Sequence, residues 1–349
     1  MLRISYRTKR FFQKVAIFLL AVVLLAVTAG FIWVIWLERY VVYSKDGAVF
    51  NFNLDLEADR GIVATKPINR NPIDIHYNDG VDKVDTSFDL AQLSGFYADT
   101  AYLRGGMAEV RKQVESLPAG TPVMIDMKNI SGYFHYTTHV GGSPSGSVDI
   151  TAMDDLVDWL DTSGLYTIAR IPAFQEYHYF SGDRNLSHGL ATSKGYLYFD
   201  KERTYWMNPA SKGTIAYLIQ IINELKALGF NEVVLDGFQF PNTKDVVFGG
   251  DKAEALASCA SQLVAACGSD SFAISFSVES PTFVLPEGRC RLYLENVDAS
   301  KAKSEAEKSG MDEETVKINL VFLTETQDTR FNTYSVLRPL SSAHFDNEQ

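Results

Sequence analysis

Short apolar segments alternate with amphipathic ones, one of them ends on a carboxylate, and no glycine-rich phosphate loop follows the first. These observations predict an α/β fold, a (β/α)8 TIM barrel, incomplete if an eighth strand is lacking, preceded by a single N-terminal transmembrane helix. The clearest unit is Thr204–Thr243. After Asn208-Pro209, Ile215, Leu218, Ile219, Ile222, Leu225 and Leu228 recur at helical spacing, and Gly229 stops the helix. Glu232-Val-Val-Leu235 then runs as a buried strand into Asp236, at the strand end where such barrels carry their chemistry.

The same pattern repeats along the chain. Strands are predicted at Gly95–Leu103, Pro122–Lys128, Tyr166–Phe174, Glu232–Phe240, Phe272–Val278, Arg291–Val297 and Val316–Leu323, with Tyr334–Leu337 as the candidate eighth. Helices are predicted at Gly106–Ser116, Ala152–Ser163, Lys212–Leu228, Lys252–Ala266 and Lys301–Ser309. A doubly wound sheet would carry a glycine-rich turn after its first strand, and none is present.

Ahead of the barrel, Arg3, Arg7, Lys9, Arg10 and Lys14 precede a charge-free run of 23 residues, Val15–Leu37. Such a run crosses a hydrocarbon layer of about 30 Å. Trp33, Trp36 and Tyr40 suit the far interface, and the basic flank places the N-terminus in the cytoplasm and the remainder outside. A cleaved signal peptide is the competing reading, with Val27-Thr28-Ala29 as its cleavage site. The run continues through Leu37, longer than the 7–15 or so residues of a signal-peptide core, which favours an uncleaved signal anchor. The predicted organisation is a basic segment 1–14, the anchor 15–37, an irregular lead-in 38–92 with one or two strands, the barrel 93–340 and a tail 341–349.

Composition narrows the function. Of 349 residues 46% are hydrophobic, enough for a large core, and the net charge of −11 excludes a nucleic-acid footprint. Three cysteines, Cys259, Cys267 and Cys290, do not make a disulfide framework and read as core residues, with a single disulfide as the alternative in an oxidising exterior. No G-x-S-x-G follows a strand, and Gly141–Gly146 reads as a flexible loop, which argues against a serine hydrolase. His135, His139 and His178 lack ligand spacing, so neither a metal nor another cofactor is expected.

Polar residues gather at strand ends. Asp126 and Lys128 close the second strand, Arg170 lies on the third, and Glu176 and His178 follow it; Asp236 and Gln239 follow the fourth, Glu279 the fifth, Glu295 and Asp298 the sixth. Asp236 interrupts an apolar strand, and a buried carboxylate is costly unless paired, with Arg170 or Lys128 as candidate partners. Asp236 as nucleophile or base and Glu279 as general acid make a carboxylate pair on adjacent strands, the arrangement of glycoside hydrolysis. Glu176, Glu295 and Asp298 read as loop charges or ion pairs at the barrel mouth. Aromatic clusters at 133–136, 177–180 and 196–206 suit either loop packing or stacking on sugar rings.

Tyr205-Trp-Met-Asn-Pro209, the helix, and Gly229-Phe-Asn-Glu-Val-Val-Leu-Asp-Gly-Phe-Gln-Phe-Pro241 together resemble a bacterial, largely uncharacterised family of glycoside hydrolase-like proteins with an α-amylase-like TIM barrel. Its pattern runs W-x-N-P, then G-F-x-E-(I/V)-x-x-D-Y-I-R-F-P. Gly95–Tyr102, Met124–Lys128 with Gly132-Tyr133, Ile168–Ile171 with Phe174, and Ile274–Val278 are similar to its first, second, third and fifth strands. The resemblance covers about Gly95 to Glu279 and implies a TIM barrel with carbohydrate-active chemistry. It departs where Gln239 replaces the family's arginine, where Val234 stands in place of the α-amylase arginine, and where Glu279 lies beside the acidic position of the fifth strand.

The expectation is therefore a membrane-anchored, outward-facing glycoside hydrolase acting on a cell-wall or extracellular polysaccharide or oligosaccharide. Asp236 and Glu279 are its catalytic candidates, and Asp126, Lys128, Arg170, Trp206, Asn208 and Gln239 its substrate-binding ones. The alternative is a catalytically inactive barrel that binds glycans or proteins at the cell surface, a reading the lost arginine favours.

Overall fold

In the computed structural model, which describes residues 41–44, 47–50, 90–183, 185–325 and 327–343, eight parallel strands close into a barrel. They are β1 (Ser94–Ala98), β2 (Pro122–Asp126), β3 (Tyr166–Pro172), β4 (Glu232–Asp236), β5 (Ala273–Ser277), β6 (Leu292–Glu295), β7 (Leu320–Leu323) and β8 (Ser335–Pro339). Each pairs with its neighbours in chain order, and β8 returns to β1 with Val336 opposite Ser94. The eighth strand, predicted at Tyr334–Leu337, is thus real and shifted by one residue at its start.

The helices are α1 (Thr100–Arg104), α2 (Met107–Glu115), α3 (Ile150–Leu160), α4 (Lys212–Ala227), α5 (Lys252–Cys267), α6 (Ala302–Lys308) and α7 (Glu313–Asn319). Among the described residues no α-helix lies between β5 and β6 or between β7 and β8. Two predicted strands run into helices. Gly95–Leu103 breaks at Asp99, whose carboxylate accepts from Tyr102 N and starts α1. Val316–Leu323 begins inside α7, because Asp312 accepts from the amides of Glu314 and Thr315 and starts a helix. Apolar periodicity over so few residues does not separate a strand from a short capped helix.

Side chains alternate between two cores. Val233 and Leu235 on β4 face outward and pack with Leu218, Ile222 and Leu225 of α4 and Leu263 of α5. Val234 faces inward and joins Met124, Ile168, Tyr293, Val321 and Leu337 in the plug of the barrel. Each fully buried aliphatic side chain contributes about 1.5–3 kcal/mol, so the two cores carry most of the stability. Gly229 ends α4 at φ 91°, where a Cβ would also run into the Asp161 carboxylate.

Residues 1–82 and 83–349 form two separate units. In the first, Val41–Ser44 and Gly47–Phe50 make an antiparallel hairpin with Val41 opposite Phe50. The predicted basic segment 1–14, anchor 15–37, most of the lead-in 38–92 and the end of the tail lie outside the described residues. Among those described, no helix is long and apolar enough to cross a membrane.

Candidate active site

The inward parity of the strands brings a charge cluster to the C-terminal mouth of the barrel. Asp126 ends β2, Arg170 lies near the end of β3, Asp236 ends β4 and Glu295 ends β6. Arg170 is the hub. Its Nε donates to Asp126 Oδ1 at 2.6 Å and its Nη1 to Glu295 Oε1 at 2.7 Å. The Arg170 and Asp126 side chains are 13% and 11% exposed, against 33% for Glu295, so Glu295 is the more open of these three. Burial works against the charge of Arg170, but Asp126 and Asp236 more than offset it and hold the guanidinium ionised.

Asp126 is occupied on both oxygens. Arg170 takes Oδ1, while Thr100 N at 2.6 Å and Thr100 Oγ1 at 2.9 Å take Oδ2. It therefore fixes Arg170 and the start of α1 and has no oxygen left for chemistry. Thr100 Oγ1 also lies 3.1 Å from His135 Nε2. His135 is fully buried, and burial depresses its imidazole to about 4, although nearby Asp126 pulls the other way.

Glu295 is the acid of the cluster whose carboxyl is shifted. Its carboxyl is raised above the ordinary value by burial first and by the charge of Asp236 second, with Arg170 opposing. A cavity of about 360 Å³ opens on the Asp126 and Asp236 side of the cluster, lined by these two, Arg170, Lys128, Thr100 and Arg104 among others; Glu295 touches it only through Arg170. Asp236 is half-buried in its wall, and Gly237, at φ 62°, turns the chain away immediately after it.

The other predicted site residues lie elsewhere or hold structure. Lys128 also borders the cavity, but its ammonium pairs with Glu176 and both side chains are essentially buried. It is thereby not a partner of Asp236. Glu279 is exposed and lines a different, more apolar cavity with Gln239, Phe238 and Phe283; its amide donates to Gln239 Oε1 at 3.2 Å. Trp206 is buried and donates from Nε1 to Asp200 Oδ2 at 2.7 Å. Asn208 Oδ1 accepts from Ala210 N at 3.0 Å and shapes the turn into α4. Among the described residues no group of three or more metal-ligating side chains converges.

Glu295, read from the sequence as a loop charge or ion pair, does form an ion pair with Arg170, and its nearness to Asp236 also had a sequence signal. Arg291, Tyr293 and Glu295 share one face of β6, as Glu232, Val234 and Asp236 share one face of β4, so the two acids hold equivalent places. The pairings of Thr100 with Asp126 and with His135 depend on how the start of α1 sits against the end of β2 and carry no sequence signal.

No curated protein matches the chain. Among solved structures it is similar to a hypothetical protein from Ruminiclostridium thermocellum, at 18% identity over 55% of this chain and 100% of that one, with a TM-score of 0.44. It is similar to the glycoside hydrolase domain of PelA from Pseudomonas aeruginosa, at 13% identity over 72% and 95%, TM-score 0.43. It also resembles an α-galactosidase from Thermus thermophilus, at 14% identity over 72% and 62%, TM-score 0.46, spanning less than two thirds of that chain. A family model matches from the end of α1 to just before β5, a stretch that contains Asp126, Arg170 and Asp236 and stops short of Glu279 and Glu295. Residues 104–269 match the model of a family described as "Putative glycosyl hydrolase domain".

Proposed function

We propose that the protein is a glycoside hydrolase held at the outer face of a membrane by residues 15–37 and acting on a cell-wall or extracellular polysaccharide. The observation that carries this reading is the cluster at the barrel mouth, in which Arg170 holds Glu295 beside the charge of Asp236 and Glu295 is raised above an ordinary carboxyl. Two neighbouring carboxyl groups, one able to give a proton, are the requirement for glycosidic cleavage. Glu295, protonated, donates to the leaving oxygen. Asp236, on the strand two places away, meets the developing positive charge at the sugar carbon, either as nucleophile or as base on a water. Glu295 suits the acid role better than Glu279, because Glu279 is exposed and lines another cavity. Arg170 and Asp126 position the pair and keep it from drifting as charge moves.

Residues 1–37 support the location by their charge pattern alone, basic before the apolar run and weakly charged after it. The test is release of reducing ends from a panel of cell-wall and plant polysaccharides by the full chain in detergent micelles. Asp236→Asn lowers release by several orders of magnitude with the melting temperature kept. Glu295→Gln loses natural substrates yet retains aryl glycosides, whose leaving groups need no proton. Glu279→Gln leaves the rate in place. Full activity in Asp236→Asn sinks the assignment; glycan retention without any release by the unmodified chain moves the barrel to the binding class.

A further inference from the structure

A larger cavity, of about 620 Å³, lies between the loop after β2, the loop after β3 and the first turns of α4. It shares no lining residue with the barrel-mouth cavity. Its size falls within the range of about 300–1,000 Å³ usual for small-molecule sites. Among the described residues its wall holds no Asp, Glu, Lys or Arg; its polar groups are the imidazoles of His178 and His188, the amides of Asn185 and Gln220, and hydroxyls.

The wall is only partly satisfied from within. His188 Nδ1 is held by Tyr179 OH at 2.7 Å, and Tyr217 OH donates to Glu176 at 3.3 Å, so these phenols are used internally. His178 Nε2 is buried and has no hydrogen-bond partner among the described residues. An unsatisfied buried polar atom costs about 1–3 kcal/mol, so the His178 ring at this wall is held at a cost. Gly213 is required here, since a Cβ would collide with the His188 ring.

The same loop carries an exposed aromatic surface. Tyr177 and Phe199 are 41% and 44% exposed. Tyr177 stacks on Tyr205 with ring centroids 5.8 Å apart and meets the edge of His178 at 5.5 Å, so the surface adjoins the cavity through His178. Exposed rings beside a pocket of amides, imidazoles and hydroxyls suit a molecule with an apolar face and many hydroxyls. An anion entering this wall finds no counter-charge among the described residues.

We infer that this cavity is a second, non-catalytic saccharide site that takes a neutral sugar unit, with Tyr177 and Phe199 as the platform for the adjoining unit. The choice of a saccharide rests on the glycoside hydrolase reading; the cavity and its unpaired imidazole do not.

The test uses the full chain in detergent micelles on an Asp236→Asn background, so that probes survive. Neutral gluco-, galacto- and N-acetylglucosamine oligosaccharides are titrated by calorimetry, with an oligogalacturonate as the charged comparison. Ala216→Trp fills the cavity from an exposed position of α4, and Gln220→Ala, also exposed, removes an amide without adding bulk. The expected result is a dissociation constant raised at least tenfold by Ala216→Trp and several-fold by Gln220→Ala, with melting temperatures kept. On the unmodified background, Ala216→Trp slows release from polymer and leaves turnover of a small aryl glycoside unchanged. Neutral binding that survives Ala216→Trp overturns the second site and leaves the barrel-mouth chemistry standing. Preference for the oligogalacturonate, or no neutral binding at all, also overturns it. Binding lost in Ala216→Trp by a chain that never hydrolyses its ligand keeps the site and removes the enzyme.

Discussion

Lys128→Met separates a structural cation from a substrate-binding one. The Lys128 ammonium and the Glu176 carboxylate are 1% and 0% exposed and face each other within the loops over β2 and β3. Glu176 also accepts from His178 N at 3.0 Å, Tyr179 N at 3.3 Å and Tyr217 OH at 3.3 Å. Lys128 Nζ lies 5.4 Å from the centre of the Phe134 ring and 5.8 Å from that of Tyr217. Removing the lysine leaves Glu176 with neutral donors and no counter-charge, at a cost of about 3–5 kcal/mol. At about 2–4 °C per kcal/mol for a large domain, the melting temperature falls by roughly 6–20 °C. Lys128→Met with Glu176→Gln removes both charges, keeps an acceptor for the His178 amide, and recovers most of the loss. Calorimetry of the two single variants and the double variant reads the coupling directly. Losses in the double variant that equal the sum of the singles refute the pair. A raised KM in Lys128→Met with an unchanged melting temperature refutes the structural assignment and returns Lys128 to the substrate.

Three further outcomes follow from the same geometry. Glu295 is raised by burial and by Asp236 and lowered by Arg170, so hydrolysis declines as pH rises through its pKa, and Arg170→Gln moves that alkaline limb to higher pH; a limb that stays or moves down in a pH–rate profile removes Glu295 from the acid role. His135 is held neutral by burial, at about 4 against 6.5, so the unfolded chain binds the extra proton between those values. Its stabilising contribution, about 3 kcal/mol, is therefore complete above pH 6.5 and lost as pH falls toward 4; urea melts across that window are steeper for the unmodified chain than for His135→Phe, and parallel slopes contradict the assignment. Trp206→Phe removes the 2.7 Å bond to Asp200 and costs about 1.5–3 kcal/mol with KM unchanged, whereas a raised KM at constant stability places Trp206 on the substrate.

How far the sequence reaches is clear from particular residues. Val233, Val234 and Leu235 announce a strand without any tertiary information, because an apolar run between a helix stop and an acid has few other solutions. The family pattern adds Asp126, Arg170 and Asp236 for the same local reason: each sits at a strand end. Partnerships are another matter. Lys128 and Glu176 lie 48 residues apart, and Arg170 and Glu295 lie 125 apart. Which inward side chains meet depends on strand tilt and on how loops fold over the mouth, quantities set by barrel closure and not by any one segment. Choosing Glu279 for its adjacency to β4 assumes that the nearest acid in the next strand faces the same cavity. It follows β5 beyond the last inward position, Ser277, and so emerges on the surface beside Gln239.

The barrel axis explains why one end can be tuned while the other must stay fixed. At the floor, Glu232 accepts from Ser275 Oγ at 2.6 Å, Tyr293 OH at 2.8 Å and Tyr166 OH at 2.9 Å, and pairs with Arg291. Arg291 Nη2 also donates to Ala91 O at 2.7 Å, tying the segment before β1 beneath the strands. Every oxygen of this acid is satisfied and its solvent exposure is nil, so its charge is stabilised without access to a ligand. Met124, Ile168, Val234 and Leu337 then form an apolar plug. Above it, Arg170 faces three carboxylates and satisfies only some of their oxygens. Both clusters set an arginine against carboxylate, yet only the upper one leaves a partly exposed carboxyl beside a second acid. What distinguishes the proposed site from scaffold in this barrel is therefore incomplete satisfaction at the open end, not the presence of charge.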